Sequence, residues 1–400
     1  MKRDIYCHEK RYKNWKEEVV EFGIVGLTKK NADYLINYVF DMEIGVNVSK
    51  KNKKGARSYP RLNNIRQRLR QIMIMLQERG VNDITRIEEK EVIQFFTEMH
   101  TGSIKTKKGE QYRSVGDYAK VFTSFWHWWM KVNRKEGKML IDISEELDKS
   151  SLSSRFVYVT KEQIDEMLPY FEEDEQTIIL FVFDSIIRAP TELMSLKVKN
   201  LFKEKDIVWV NIPSEISKTN FQRSFNLLYC GDSIIKYIEK KKLNPEDYLF
   251  DFNHLQLTKK LHKVAEQLWG EGLSHPVAEG KFSNLGLYDL RHSGAIHLRI
   301  LASRTGKISL DAIRQRGGWV DFKMLNYYTK FIGLDGSIDK NDLLIEEDKT
   351  RLEKEIEELK NSNQIFSGKM MKFFEILQDN PQISKLLVKK EMTRMKELFG

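Results

Sequence analysis

The chain has 400 residues, of which 41% are hydrophobic and 31% are charged, enough for two or three domains with their own cores. Its only cysteines are Cys7 and Cys230, and no apolar run approaches the length that a bilayer requires, so neither a disulfide framework nor a membrane span is expected. The start, MKRDIYCHEK, is too charged for a signal peptide, and a reducing cytoplasm is the simplest setting.

The excess positive charge lies in the first part of the chain. Residues 1–150 carry 30 basic and 21 acidic side chains, whereas the other 250 residues carry 37 of each. The densest section, residues 50–71, has nine basic side chains and no acidic one. DNA attracts such a patch by releasing condensed counterions, although a solvated surface loop explains a lysine run equally well. The side chains predicted to bind DNA here are Lys50, Lys51, Lys53, Lys54, Arg57, Arg66, Arg68 and Arg70.

Apolar residues at three- and four-residue spacing predict four helices in this basic part. The last of them carries Phe122, Trp126 and Trp129 along one stripe, which indicates core packing rather than a platform for stacked bases. His127 in the same segment is interpreted as a satisfied or exposed histidine. The four predicted helices cover residues 32–42, 62–78, 88–100 and 114–132.

An acidic and then serine-rich segment, residues 137–156, has the composition of an interdomain linker. Beyond it, Thr160 and Gln163 have the spacing of a capping box, which predicts the start of a helix. Residues 176–183 are apolar and predict a buried helix that leads to Arg188.

A β-hairpin is predicted next. Residues 206–212 alternate as a strand and residues 222–228 supply its partner, which places Lys218 in the turn between them. Helices are predicted after the hairpin, at residues 234–241 and 255–268.

Two further helices are expected near the end of this half of the chain. Asp289 suits the N-terminus of the first helix as its cap. The second helix begins at Ser309 or Asp311, and Gly317 and Gly318 end it.

Two arginines, a lysine and a tyrosine in this half suit phosphodiester chemistry. Guanidiniums clamp the non-bridging oxygens of a phosphate through paired donors and stay charged at any working pH. A phenol, with a free pKa of about 10, becomes a nucleophile when nearby positive charge favours the phenolate. These residues are Arg188, Lys218, Arg291 and Tyr328.

Their order resembles the catalytic domain of the tyrosine recombinases, the phage and archaeal integrase family, over about residues 157–331. The run FDSIIRAPTELMSLKVKNL resembles the family's first arginine box, with Arg188 before an amphipathic helix. SKTNFQR resembles the lysine hairpin, and YDLRH resembles the HxLRH box. GGW stands where LGH is usual, and Tyr328 follows Trp319 by nine residues, as the nucleophile does in the family.

Three positions depart from the family pattern. Tyr288 stands where histidine is usual, although archaeal integrases tolerate tyrosine there. Glu192 is the fourth residue after Arg188 instead of the third, which implies an insertion or a different helix start. Tyr327 adjoins Tyr328, and the spacing from Trp319 favours Tyr328.

The resemblance implies DNA strand exchange without a cofactor or metal, as in the integration of a mobile element or viral genome. Tyr328 would attack the scissile phosphate and form a 3′-phosphotyrosyl link. Arg188 and Arg291 would stabilise the transition state, and Lys218 would protonate the departing 5′ oxygen.

Three more residues receive roles from the same resemblance. Tyr288 and Trp319 would assist as hydrogen-bond donors, and core filling explains Trp319 equally well. His292 is assigned to DNA binding. The expected partner is double-stranded DNA, bound by a homotetramer on paired sites that is a monomer or dimer off DNA, in the cytoplasm at the nucleoid.

The fold predicted from these patterns and the resemblance is mainly α with a small antiparallel β-sheet (α+β). In the tail, Ile345, Leu352, Leu359 and Phe366 recur every seven residues, which fits an oligomerising coiled coil or a helix docked on its own domain. The predicted domains are an N-terminal extension that could be arm-like (1–55), a helical core-binding domain (56–150), a catalytic domain (157–334) and a helical tail (335–400).

Other functions stay open. A type IB topoisomerase uses the same residue types to relax supercoils, and a non-cutting DNA-binding protein could share the fold. Metal-dependent transposition would need three acidic ligands, for which Asp184, Glu192 and Asp289 are candidates that helix-end roles explain better.

Overall fold

The computed structural model describes residues 3–48, 55–152 and 155–329, with the short pieces 359–360, 362–363 and 366. The predicted DNA contacts Lys50, Lys51, Lys53 and Lys54, and the heptad positions Ile345 and Leu352, lie outside these residues. The chain forms two compact units, residues 1–331 and 332–400, and every element named below belongs to the first. The fold is mainly helical with one small antiparallel sheet, as predicted.

The first part of the chain is a bundle of helices around a single core. Four helices confirm the sequence prediction, and α1 was not predicted. Leu35 and Phe122 are buried in the same core as Tyr12 of α1, and the predicted division between residues 1–55 and 56–150 stays a prediction. The helices are α1 (His8–Phe22), α2 (Lys29–Ile44), α3 (Tyr59–Gln77), α4 (Glu89–Thr101) and α5 (Val115–Lys135).

The aromatic stripe of α5 packs as predicted. Phe122 and Trp126 are buried and their rings stack 6.2 Å apart, while Trp129 lies at the edge of the core. The imidazole of His127 is satisfied by the Asp142 carboxylate, 2.7 Å away.

The second part surrounds a three-stranded sheet with helices. The strands run antiparallel in the order β1-β2-β3, with Val210 of β2 opposite Leu201 on one side and Phe225 on the other. The elements are α6 (Lys161–Met167), α7 (Glu173–Ser185), β1 (Leu201–Glu204), β2 (Ile207–Ile212), β3 (Arg223–Asn226), α8 (Gly231–Lys241), α9 (His254–Trp269), α10 (Leu287–Thr305), α11 (Leu310–Gly317) and α12 (Lys323–Thr329).

Helix α10 lies directly against α7. A Cβ added at Gly294 of α10 would come within 2.0 Å of the Phe183 carbonyl oxygen, so only glycine permits this approach. The close packing brings the N-terminal end of α10 beside the residues that follow α7, and therefore brings Arg291 beside Arg188.

The predicted amphipathic helix after Arg188 is wrong. Helix α7 ends at Ser185, and only two short 3-10 turns follow Arg188, at Leu193–Ser195 and Val198–Asn200. Pro190 disfavours a helical conformation for the residue before it, and the Glu192 carboxylate folds back to accept from the Arg188 backbone N–H at 3.2 Å.

Within the described residues, polar contacts join the two parts near Arg3 and near Arg113. The backbone N–H of Arg3 donates to Ser195 Oγ at 3.0 Å, and its guanidinium contacts Asp251 at 3.1 Å and lies 4.5 Å from the ring centroid of Tyr248. At the other place, Arg113 pairs with Glu279 at 3.1 Å. No helix within the described ranges is long and apolar enough to cross a membrane.

Candidate active site

The predicted catalytic residues approach one another where the end of α7, the β2–β3 hairpin, the start of α10 and the turn after α11 meet. Arg291 and Tyr328 are fully buried there, and Arg188 is almost so. Lys218 and Tyr288 lie at the exposed edge.

The Gly-Gly turn holds the two arginines side by side. Arg291 Nη2 donates to the carbonyl oxygen of Gly317 at 2.7 Å, and Arg188 Nη2 donates to that of Gly318 at 3.0 Å. Arg291 Nη1 also donates to the carbonyl of Ile186, just after α7. Burial, together with the charge of Arg188, lowers the pKa of Arg291 to about 10, so its guanidinium stays charged at neutral pH.

Glu192 lies at the centre of the cluster and has no exposed surface. Its Oε1 accepts from Arg188 Nη1 at 2.8 Å and from the Lys218 backbone N–H at 3.2 Å, and its Oε2 accepts from Arg223 Nη2 at 2.6 Å. Burial alone would raise the pKa of Glu192, but the charges of Arg223 and Arg188 outweigh it and lower the pKa to about 2. Glu192 is therefore an ionised bridge between two guanidiniums.

Asp184 and Asp289 do not join Glu192 in a metal site. Asp184 pairs with Arg316 at 2.5 Å, and Asp289 accepts from the backbone N–H groups of Gly286 and Val157 at 2.7 and 3.0 Å. Among the described residues, no group of three or more metal-ligating side chains occurs.

Lys218 lies in the connection between β2 and β3, as predicted. Its side chain is exposed, while its backbone is tied to Glu192. The hairpin therefore fixes the position of the Lys218 backbone, while the exposed side chain extends toward solvent.

The hydroxyl of Tyr328 forms a hydrogen bond of 2.8 Å with Nδ1 of His292. Burial raises the pKa of Tyr328, and burial together with the charge of Arg291 lowers the pKa of His292 to about 4. At neutral pH the phenol is protonated and the imidazole is uncharged, so the phenol can donate to a ring nitrogen that carries no proton. His292, predicted to bind DNA, thus lies beside the candidate nucleophile, with its ring stacked on Phe156 at 4.5 Å.

The other aromatic candidates surround this pair. The ring of Trp319 lies 5.8 Å from that of Tyr328, and the guanidinium carbon of Arg291 lies 5.1 Å from the Trp319 ring centroid. Tyr288 is 48% exposed and its ring centroid lies 5.1 Å from that of His292. Tyr327 is partly buried, and its ring centroid lies 6.1 Å from that of Phe156.

Sequence reasoning missed a buried set of charges behind the site. The Arg223 side chain is 1% exposed, and its Nε donates to the carbonyl oxygen of Arg316 at 3.0 Å. Arg316 in turn pairs with Asp184, whose carboxylate also accepts from the backbone N–H of Cys230 at 3.2 Å. The only available signal was the place of Arg223 five residues after Lys218.

The described basic residues of α3 have partners within the bundle. Arg68 pairs with Asp117 at 2.8 Å, Arg70 donates to the Val25 carbonyl at 2.6 Å, and Arg66 donates to Asn63 at 2.8 Å. Just before α3, Arg57 Nη1 donates to the carbonyl of Gly55 at 3.3 Å. The contacts of Arg68 and Arg70 hold α3 against its neighbours, and DNA binding by the four arginines stays a prediction.

Comparison with known proteins places this geometry in a family. Residues 157–331 match the model of the phage integrase family. No curated protein matches the chain.

Several solved structures share the fold. The site-specific recombinase XerH bound to its difH substrate, in a pre-cleavage complex, aligns with a TM-score of 0.50 and 14% identity over 81% of this chain and 94% of that chain. A lambda integrase dimer bound to a COC′ core site aligns with a TM-score of 0.50 and 13% identity over 77% of this chain and 79% of that chain. Residues 157–331, which bring together the arginines, the tryptophan and the tyrosine discussed above, therefore form a domain of the phage integrase family.

Proposed function

We propose that this chain is a site-specific DNA recombinase that cleaves and rejoins strands through a 3′-phosphotyrosyl intermediate. The observation that carries the proposal is the convergence of one buried phenol, Tyr328, with two guanidiniums held side by side by consecutive carbonyls of one turn. This set supplies a nucleophile and a clamp for a phosphate, both of which strand cleavage requires.

In the proposed cleavage step, Tyr328 Oη bonds to phosphorus while the bond from phosphorus to the 5′ oxygen breaks. His292 Nδ1 takes the phenolic proton, because it already forms a hydrogen bond of 2.8 Å with that oxygen. Its lowered pKa, about 4, leaves the ring uncharged at neutral pH, so Nδ1 can accept a hydrogen bond from the phenol. Rejoining reverses these changes with a 5′ hydroxyl of the partner strand.

Arg188 and Arg291 bind the non-bridging oxygens of the phosphate. Each guanidinium has five N–H donors, and the contacts with Glu192 and the backbone carbonyls use only some of them. The remaining donors can stabilise the charge that develops on the phosphorane.

Lys218, Tyr288 and Trp319 complete the site in this proposal. Lys218 donates the proton that the leaving 5′ oxygen needs, since its ammonium is exposed on a hairpin anchored to Glu192. Tyr288 offers an exposed hydroxyl near His292, and Trp319 packs against both Tyr328 and Arg291.

The proposed partner is duplex DNA. The helical bundle, with its basic α3, contacts the duplex together with residues 157–329. The lambda integrase of the comparison is a dimer bound to a core site, and we propose that several copies of this chain, four in the complete assembly, act on paired sites at the nucleoid. A mobile or viral element is the proposed origin.

The test is covalent capture on a pool of nicked suicide duplexes with randomised centres and labelled strands. The wild type, Tyr328→Phe and Tyr327→Phe are incubated with the pool, resolved by denaturing electrophoresis, and the linked DNA is sequenced. We expect a protein-linked band with wild type and Tyr327→Phe, and none with Tyr328→Phe. Mass spectrometry should place the adduct on Tyr328 with a 3′ phosphate.

The same experiment separates the alternatives. Relaxation of a supercoiled plasmid without recombinant products would favour topoisomerase activity. Tight binding of the pool with no covalent band in any variant would overturn the proposal in favour of a non-cutting DNA-binding protein.

A further inference from the structure

We propose that Arg223 is a positioning residue for strand cleavage, because it holds the Glu192 carboxylate and the Gly317–Gly318 turn that together fix the Arg188 guanidinium. This inference rests on the proposed recombinase function. It gives a role to a residue that lies behind the site and that the cleavage step itself does not use.

The two arginines share one carboxylate. Glu192 Oε1 accepts from Arg188 at 2.8 Å, and Oε2 accepts from Arg223 at 2.6 Å. With Arg223 on one oxygen, the carboxylate cannot rotate freely, so its other oxygen stays directed at Arg188 and at the Lys218 backbone. One guanidinium thereby orients the other through the group between them.

Arg223 also supports the second contact of Arg188. Its Nε donates to the carbonyl of Arg316 at 3.0 Å, immediately before the glycine pair. A Cβ added at Gly318 would come within 2.9 Å of Arg223 Nη1, so the guanidinium lies directly beneath the turn. Gly318 has a φ of +61°, and its carbonyl is the second acceptor for Arg188. Both acceptors of Arg188 are therefore held by Arg223.

Burying the charged guanidinium of Arg223 costs free energy, and a positioning role would explain why a charged side chain is present here. The side chain is 1% exposed, and within the described structure its Nη1 is buried without a hydrogen-bond partner. Burying a cation costs free energy that only close pairing offsets, and a methionine would fill similar space without that cost. A role in orienting the Glu192 carboxylate, which needs a charged side chain with directed hydrogen bonds, explains the arginine better than core packing does.

The test compares Arg223→Met and Arg223→Lys with the wild type, with Arg86→Met as a matched control because Arg86 is 80% exposed. Single-turnover formation of the covalent adduct is measured on a duplex selected from the pool, alongside DNA affinity and the melting temperature. Arg223→Met should slow cleavage by roughly ten- to a hundredfold, the scale expected when a clamping group is misplaced, while DNA affinity stays within about twofold. Arg223→Lys should recover part of the rate, and Arg86→Met should match the wild type.

A pH profile distinguishes positioning from a merely structural role. The charged groups that face Glu192 are Arg188, Arg223 and Arg291, and removing Arg223 takes away the strongest influence that lowers its pKa while burial remains. Arg223→Met should therefore lose cleavage as the pH falls from about 7 to about 5, a limb that the wild type lacks. Adding Glu192→Gln to Arg223→Met should abolish that limb, because an amide does not titrate.

Each outcome decides one question. If the wild type forms no adduct, the proposed function fails before Arg223 is tested. If the wild type forms the adduct and folded Arg223→Met cleaves at the same rate, the positioning role is refuted. A slow variant with an unchanged pH profile also refutes it. If Arg223→Met does not fold, Arg223→Lys decides in its place. A cleavage rate equal to that of the wild type would refute the positioning role, and a slower rate with unchanged DNA affinity and melting temperature would support it.

Discussion

Replacing Asp184 with alanine should strongly destabilise residues 157–329. The Asp184 side chain has no exposed surface, pairs with Arg316 at 2.5 Å and accepts from the backbone N–H groups of Tyr229 and Cys230 at 2.7 and 3.2 Å. Alanine leaves the Arg316 guanidinium buried without its counter-charge and leaves those N–H groups without an acceptor.

The expected cost is about 3–5 kcal/mol, the range for removing one partner of a buried ion pair. For a cooperative unit of this size, each kcal/mol lowers the melting temperature by about 2–4 °C, so Asp184→Ala should melt about 10 °C below the wild type. The midpoint of urea unfolding should also fall, while the slope of the unfolding free energy against urea concentration stays unchanged.

Thermal and urea unfolding, followed by circular dichroism, measure this effect. Lys240→Met is the control, since Lys240 pairs with Glu173 on the surface, where water and salt screen the interaction. A melting temperature for Asp184→Ala that equals that of Lys240→Met would show that the buried pair is not what holds the hairpin to α7 and α11.

Two further predictions concern the site. Burial raises the pKa of Asp289 to about 6, above its ordinary value of 3.8. The folded state therefore binds more protons than the unfolded state, and the melting temperature should rise as the pH falls from 7 toward 5. The melting temperature of Asp289→Asn should lack this rise, and parallel pH profiles for the two proteins would contradict the assignment. Gly317→Ala should reduce cleavage because its Cβ would lie 2.5 Å from the Trp319 ring. Gly272→Ala is the control, since it has open space around it and should cleave as the wild type does. Equal adduct yields for the two variants would count against a role for the Gly317–Gly318 turn.

The sequence predicted elements well where an apolar face repeats along a helix. Helices α3 and α5 bury many side chains, and their periodic pattern is clear. The sequence did not predict helix α1, because only Tyr12, Trp15 and Val19 of its 15 residues are buried and they form a weak apolar pattern. Strand β1 escaped as well, since all but its first residue are exposed and no alternation marks it.

The residues of the candidate site were predicted from their order and spacing along the chain. The contacts between those residues were not predicted. The spacing identified Tyr328 and Arg291, but Glu192 also accepts from Lys218 and Arg223 of the distant β2–β3 hairpin, and no local pattern encodes these contacts. The fourth-residue spacing of Glu192 implied an insertion or a different helix start. In the structure it is the geometry of a turn that brings the carboxylate back to Arg188. Likewise, nothing in the sequence indicated that His292 would meet Tyr328.

The contacts of Arg3 have a consequence for limited proteolysis. A cut in the linker near residue 150 would sever the peptide chain between the helical bundle and residues 157–329. The two fragments would still share the Arg3 contacts with Ser195 and Asp251, and the Arg113–Glu279 pair. Nicked protein should therefore co-elute as one particle in gel filtration at low salt and separate only when high salt or denaturant breaks these polar contacts.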